Sequence, residues 1–396
     1  MASTYTHSIT QLAGQLIICQ SEVATVIRLA EARMIGSAAL VIIVLAGTHL
    51  CSAQGLQEPM RFFREQVALS DDQIMQLSLG KPVAKVLPSK NPAEMIVFGA
   101  VFVRASPDAY IKLAFDIDRL RRSPGYSGAG QLHQPPDLSD LNGFDLEPSD
   151  MKSLSKCKPG KCAVQLPAKM IHDLQASIDW SKPDAAAQVN TWFRRTALEI
   201  LLRYQKIGNM ALPQYHDSDS PFDVNGEIQS LLERSEALPM YLPALKSYLL
   251  NYPTSELKEA ESIFYWERVN FGMKPTLRLN HAVTYRSDGP GGPVPIVVVK
   301  QLFARHYFQL ALDLSACVLG TSRLGDSGFY LISLRGSTQS GFTGLFGALL
   351  KKLVASKTRA MQEKALLNIK QELESRPGAL DSSVPIHGGA AQISGG

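Results

Sequence analysis

The spacing of apolar residues changes along the chain, and the changes divide it. From about residue 166 to 262 apolar positions recur every three or four residues. Val189, Trp192, Phe193, Thr196, Ala197, Ile200 and Tyr204 fall on one face of a helix that Ser181 and Pro183 cap and Gly208-Asn209 ends. The pattern predicts further helices over 226–237, over 243–251 and from Ser255. The period then drops to two. Strands are predicted over 263–271, 276–286, 295–305, 306–319 and 329–335, separated by Lys274-Pro275, by the Gly- and Pro-rich run 287–292 and by 320–328. Phe308, Leu310, Leu312, Leu314, Ala316 and Val318 alternate with Tyr307, Gln309, Asp313 and Ser315, which predicts a sheet with one buried side. A helix follows from Ser340 to Leu373, striped by Phe342, Leu345, Phe346, Leu349, Leu353, Met361, Ala365, Ile369 and Leu373. Gly341, Gly344 and Gly347 allow its start to approach a neighbour closely.

The first third reads differently. A helical stretch over 60–76 leads into a linker punctuated by Pro82, Pro88 and Pro92. A β-rich run over 95–103 feeds a helix to about Leu120, opened by Ser106-Pro107-Asp108 with proline at the first helical position. Residues 123–165 are rich in Gly, Pro, Asp and Ser and read as loop with short extended pieces. Upstream, Arg28 and Arg33 precede Met34, a charge-free segment runs from Ile35 to Cys51, and Cys51-Ser52-Ala53 closes it. That is the plan of an export signal cut after Ala53. The rival reading is a retained anchor over 34–53, long enough to cross a bilayer. Residues 1–33 are either an over-extended gene start or an amphipathic leader.

Segment by segment, the expected organisation is a leader with export signal or anchor over 1–53 and a lead-in over 54–94. A first strand, helix and loop follow over 95–165, then an all-helical segment over 166–262. A sheet with its final helix spans 263–375, and a Gly-, Ser- and Ala-rich disordered tail spans 376–396.

Composition narrows the function classes. The chain is 19% charged and 45% apolar, which is globular, and 40 basic against 36 acidic residues leave +4 with no basic cluster, which argues against nucleic acid. Export removes Cys19 and Cys51 and leaves Cys157, Cys162 and Cys317 in an oxidising compartment. In Cys157-Lys158-Pro159-Gly160-Lys161-Cys162 the Pro-Gly pair suits a type II turn, which brings the two cysteines within disulfide reach. A reduced loop or half a zinc knuckle is the other reading, but no second pair sits at ligand spacing. Cys317 then remains free and buried.

The run Lys300-Gln301-Leu302-Phe303-Ala304-Arg305-His306-Tyr307-Phe308, the strand over 329–335 and the amphipathic helix ending Asn368-Ile369-Lys370-Gln371-Glu372-Leu373-Glu374 resemble START-like lipid-transfer and polyketide-cyclase proteins. Residues 95–120 are similar to the opening strand and helix of that superfamily. The resemblance implies an α+β helix-grip fold, an antiparallel sheet wrapped on a long C-terminal helix. The helical segment 166–262 departs from the pattern as an insertion. It also implies an internal pocket for a hydrophobic small molecule or lipid, held without turnover. The alternatives are a cyclase or hydrolase on the same architecture, and an envelope scaffold whose pocket is closed and whose insertion binds another protein.

Candidate ligand-binding residues follow. His281 shares a strand face with Leu277, Leu279, Val283 and Tyr285, which sets an imidazole and a phenol among apolar side chains, in an acid–base, ligand-orienting or purely structural role. His306 has the same standing. Arg335 closes its strand just before the last helix, where a guanidinium either meets an anionic headgroup or joins a surface ion pair. Phe342 and Phe346 line the helix start. No catalytic motif appears: there is no G-x-S-x-G, H-E-x-x-H, G-x-x-x-x-G-K-[ST] or G-x-G-x-x-G. The expectation is therefore no cofactor and no metal. Tyr215-His216-Asp217-Ser218-Asp219 gathers donors, but a calcium loop counted from Asp217 would need Gly and Glu where Phe222 and Ile228 stand. Lys351, Lys352, Lys357, Arg359 and Lys364, placed opposite the apolar stripe, add contact with an anionic membrane surface as a secondary expectation.

Overall fold

The structure, a computed structural model, describes residues 58–376 apart from 124, 235–241, 271–273, 288–292 and 343–346. The leader, export signal or anchor, Phe346 and the tail from 377 lie outside the described residues.

An eight-stranded antiparallel sheet organises the chain. Its strands are β1 (Val83–Leu87), β2 (Glu94–Val103), β3 (Tyr126–Leu132), β6 (Glu261–Val269), β7 (Thr276–Ser287), β8 (Val294–Ala304), β9 (Phe308–Thr321) and β10 (Ser327–Gln339), in the order β1-β2-β10-β9-β8-β7-β6-β3. Strands β4 (Gln214–Tyr215) and β5 (Phe222–Asp223) form a separate pair. The helices are α1 (Glu58–Glu65), α2 (Asp71–Ser78), α3 (Pro107–Ala114), α4 (Ile117–Arg122), α5 (Pro148–Leu154), α6 (Ala168–Ser177), α7 (Ala185–Ile207), α8 (Val224–Arg234), α9 (Pro243–Asn251) and α10 (Gly347–Glu374). The fold is α+β with a C-terminal helix on a large antiparallel sheet.

Both faces of the sheet are covered. On one, Phe98, Phe102, Tyr330 and Ile332 pack against α1 and α2 through Phe63, Ile74 and Leu77. On the same face, Phe264, Leu279, Val283, Ile296 and Val298 join a large core with α5 to α9, which supply Leu154, Leu174, Phe193, Leu201, Ile228 and Leu249. The opposite face buries Val101, Leu331, Cys317 and Val297 against Tyr110 and Leu113 of α3 and Leu366 and Leu373 of α10. The expectation of one buried side is therefore corrected. Ser333, Gln301 and Asn280 on the second face are buried because α3, α4 and α10 cover it, and polar alternation alone does not report that cover.

Several boundaries move for identifiable reasons. The expected lead-in contains an edge strand: β1 pairs Val83 with Ala100, and at five residues it gains its order from β2. The expected loop 123–165 contains β3, whose Gly128 and Gly130 read as loop residues. They stand there because the Trp266 indole lies across them, and a Cβ on Gly130 would come within 2.5 Å of Trp266 Nε1. The helix to Leu120 breaks into α3 and α4, with Asp116 capping the second through Arg119 N–H. Helix α7 ends at Gly208, φ 58°, as expected, while its Trp192 is only half-buried and Phe193 fills the core instead. The helix expected from Ser255 is a turn, and β9 begins at Phe308 because Tyr307 takes φ 63° between it and β8.

The last helix departs furthest from expectation. Its buried residues are Gly347, Gln362, Leu366 and Leu373, while Leu349 is 69% exposed, Leu353 55% and Met361 41%. Leu349, Leu353, Met361, Ala365, Ile369 and Leu373 are separated by multiples of four, and a straight helix turns about 40° past a full turn over each four residues. The stripe therefore spirals from the solvent side to the sheet side rather than forming a single inward seam.

Candidate functional site

Two polar clusters and one ion-paired knot sit inside this scaffold, and the sequence-predicted residues are distributed among them.

The first lies on the sheet face under α3, α4 and α10. Antiparallel register lines up Val299, Asp313, Arg335 and Val97 across β8, β9, β10 and β2, with Ser315, Ser333 and Gly99 in the adjacent row. Gly99 leaves room for Gln362 and Leu366 of α10, whose side chains would lie 2.8 Å from a Cβ there. A recess of about 20 Å³ remains, lined by Tyr110, Ser315, Ser333, Arg335, Gln362 and Ile369 among others. Burial pushes the Tyr110 hydroxyl up to about 12. Farther along the same face Glu267 and Arg278 form a buried ion pair of 3.0 Å, and Arg278 Nε donates to Gln301 Oε1 at 3.1 Å. Burial pushes Glu267 up, and Arg278, held against burial by the Glu267 charge, is raised. Arg278 Nη2 and Gln362 Oε1 are buried without a partner among the described residues. Arg335 is exposed and forms no ion pair among the described residues.

The second cluster is on the other face, under the inserted helices. His281 and Lys300 are direct partners across β7 and β8. The imidazole stacks on Phe264 at 4.5 Å between ring centres, and its Nδ1 shares a hydrogen bond of 3.1 Å with the Tyr204 hydroxyl. Tyr252 and Tyr248 close the cage at 4.8 and 6.3 Å. Burial, helped by the Lys300 charge, holds His281 well below the ordinary imidazole range. Lys300 donates to Asn209 Oδ1 at 2.8 Å and sits 4.6 Å from the Tyr204 ring centre. Among the described residues no carboxylate pairs with Lys300, and burial lowers it to about 7. Tyr248 also lines an open groove of about 520 Å³ formed with Pro253 and residues 255–260.

His306 belongs to neither cluster. Its Nε2 meets Asp150 Oδ2 at 3.1 Å, where Arg305 Nη1 approaches the same oxygen at 3.1 Å and Lys274 the other at 3.5 Å. Asp150 and Arg305 are fully buried. Against the effect of burial, the His306 hydrogen bond and the Arg305 charge hold Asp150 below the usual carboxylate range. This knot ties α5 to the β8–β9 connection. Nearby, the Cys157–Cys162 disulfide joins the chain as its spacing predicts, and Cys317 is free and buried.

The predicted residues are therefore not brought together. His281 and Tyr285 lie on the insertion face, Arg335 on the α10 face, and His306 in the Asp150 knot. Phe342 packs on Met95 and Val97. Sequence reasoning missed Lys300, Asn280, Gln362 and Asp150. A lysine inside the apolar strand Pro295-Ile296-Val297-Val298-Val299-Lys300 was the available signal, since a cation at such a position is either paired or functional. Nothing local marks Gln362 or Asp150, whose burial is set by distant segments.

Among the described residues no group of three His, Cys, Asp or Glu side chains converges, and no helix is long and apolar enough to cross a membrane. No family model matches the chain, and no curated protein matches it.

Proposed function

We propose that the chain is a helix-grip binding protein of the cell envelope, carrying a hydrophobic small molecule or lipid between its sheet and its last helix without transforming it. Strand order supports the helix-grip reading. Counting from β2, the first strand pairs with the last, β10, and the strands between run back in order through β9, β8, β7 and β6 to β3. The two short helices α3 and α4 follow the first strand, and α10 follows the last. In that order β1 is an added edge, and helices α5 to α9 interrupt the connection from β3 to β6. The envelope assignment rests on the export-signal plan read from residues 28–53.

The observation that carries the reading is the unspent hydrogen-bonding capacity of Gln362, where α10 faces the sheet. A buried polar atom without a partner costs about 1–3 kcal/mol, and Gln362 Oε1 stands in that condition beside the recess, with Arg278 Nη2 farther along the same face. A guest bearing hydrogen-bonding groups offsets that cost. Its apolar part gains about 0.8 kcal/mol per buried methylene against Leu331, Leu366 and Ile369. A recess of about 20 Å³ holds no more than a water, so loading requires α10 to lift from the sheet. The helix is suited to lift, since its 28 residues bury only four.

Native mass spectrometry of the protein purified from its own cell envelope, with solvent extraction of the same sample, tests this. A co-purifying hydrophobic molecule is expected, with occupancy reduced in Gln362→Leu and unchanged in His281→Gln/His306→Gln. Protein that arrives empty and stays empty after incubation with total envelope lipid sinks the carrier reading.

A further inference from the structure

The outer side of α10 carries a pattern that the binding reading does not use. Leu349, Leu353 and Leu367 are exposed and, at 3.6 residues per turn, fall within about 40° of one another with Ala360 between them. Lys357 and Lys364 flank this ridge on one side, Lys352 and Arg359 on the other, and all four are exposed and unpaired among the described residues. The acid of this stretch, Glu363, turns back to accept the Ala84 backbone N–H at 3.3 Å. From Gly347 to Lys370 the helix thus holds six basic residues against one acid.

We propose that this outer face of α10 docks on an anionic lipid bilayer, with Leu349, Leu353 and Leu367 in the headgroup–acyl boundary and the four cations at the phosphates. A soluble partner would have to match a leucine ridge and two basic rows along a helix of about 42 Å. A bilayer supplies both layers at once: apolar chains below and a continuous negative surface above, which is the environment an in-plane amphipathic helix requires. Three leucines otherwise left in water along one line of the helix are thereby taken up by the membrane. The recess is on the opposite side of the same helix, so docking does not depend on what the recess holds.

The test uses purified full-length protein and vesicles of phosphatidylcholine with or without 30% phosphatidylglycerol. The changed residues are exposed, so circular dichroism is expected to match wild type, and the single variant Leu353→Trp provides a readout that needs no loss of binding. Its emission should shift to the blue and be quenched by brominated lipid on anionic vesicles only, while wild-type emission changes little. Partitioning to anionic vesicles should fall at least tenfold in Leu349→Ser/Leu353→Ser/Leu367→Ser and in Lys352→Gln/Lys357→Gln/Lys364→Gln, and in wild type at high salt. Unchanged partitioning of both triple variants, or an emission from the Leu353→Trp variant that is indifferent to anionic vesicles, overturns the proposal. So does a wild-type dimer that the serine variant converts to monomer without any change in vesicle binding, because the ridge then covers a second copy. Native mass spectrometry of the serine variant should still show whatever wild type carries, which keeps this outcome separate from that of the carrier reading.

Discussion

Lys300 and Asn209 meet at 2.8 Å across the boundary between strand β8 and the inserted helices, a buried ammonium held by an amide that itself donates to the carbonyls of Leu249 and Leu250. The sheet is thereby tied to the end of α7 and to α9 through a cation with no carboxylate beside it among the described residues. Such a contact fixes how the layers seat, at a cost in stability that depends on pH.

The sign of that dependence follows from burial. Unfolded, Lys300 holds its proton up to its ordinary value of 10.5; folded, it releases it at about 7. Between those values unfolding takes up a proton, so stability rises with pH at up to about 1.4 kcal/mol per unit, and below about 7 the dependence vanishes. Lys300→Met should be more stable than wild type at pH 7 by a few kcal/mol and flat from pH 7 to 9. Urea unfolding at both pH values measures it, and an equally steep rise in the variant rules the assignment out.

Asp150 is shifted toward its charged form rather than away from it, and its contribution also grows with pH. Its carboxylate is the acceptor on which Arg305 and His306 converge, and Arg305 is as buried as the acid. Asp150→Asn should cost about 3 kcal/mol, because it leaves a guanidinium uncompensated. With the folded value below the ordinary 3.8, the stability from this group is complete above pH 4 and is lost as pH falls further. Acid unfolding should therefore show a steep loss below pH 4 in wild type and a shallower one in Asp150→Asn.

Gln362 faces the sheet with Oε1 unpartnered. Gln362→Leu should raise the melting temperature of emptied protein, by a stability gain of about 1 kcal/mol, while lowering the occupancy of protein taken from the envelope. A variant destabilised when empty would mean that a partner satisfies Oε1 without any guest.

Gly99 sets how closely α10 lies on β2. A side chain there meets Gln362 and Leu366 at 2.8 Å, so Gly99→Val should cost about 1–3 kcal/mol and speed amide hydrogen exchange along 355–370 more than in α7. Equal acceleration in both helices would show that the strain is global.

The disulfide closes a short loop, so replacing Cys157 and Cys162 together by alanine should cost about 2 kcal/mol in thermal unfolding. Dithiothreitol should bring wild type to the level of the double variant.

Much of the fold was legible because it is written in local periods. The strands from β6 to β10 and helices α7 to α10 follow alternation, three-four spacing and capping, and Pro243–Asn251 agrees at both ends. The Cys157–Cys162 bridge was legible because a Pro-Gly turn dictates where its flanks go. Strands β1 and β3 were not, one because it is short and takes its order from β2, the other because its glycines answer to Trp266, a residue more than a hundred positions away.

The sequence by itself determined the strands β6 to β10, the helices α7 to α10 and the disulfide, since each depends on residues close together in the chain. Which face each element shows its neighbours was decided only by the tertiary structure. His281 and Arg335 stand on opposite sides of one sheet, and Leu349, Leu353 and Leu367 of the last helix turn outward while Gln362 turns in. Local periodicity fixes a side chain's angle around its own axis, whereas burial depends on which distant surface comes to cover that angle.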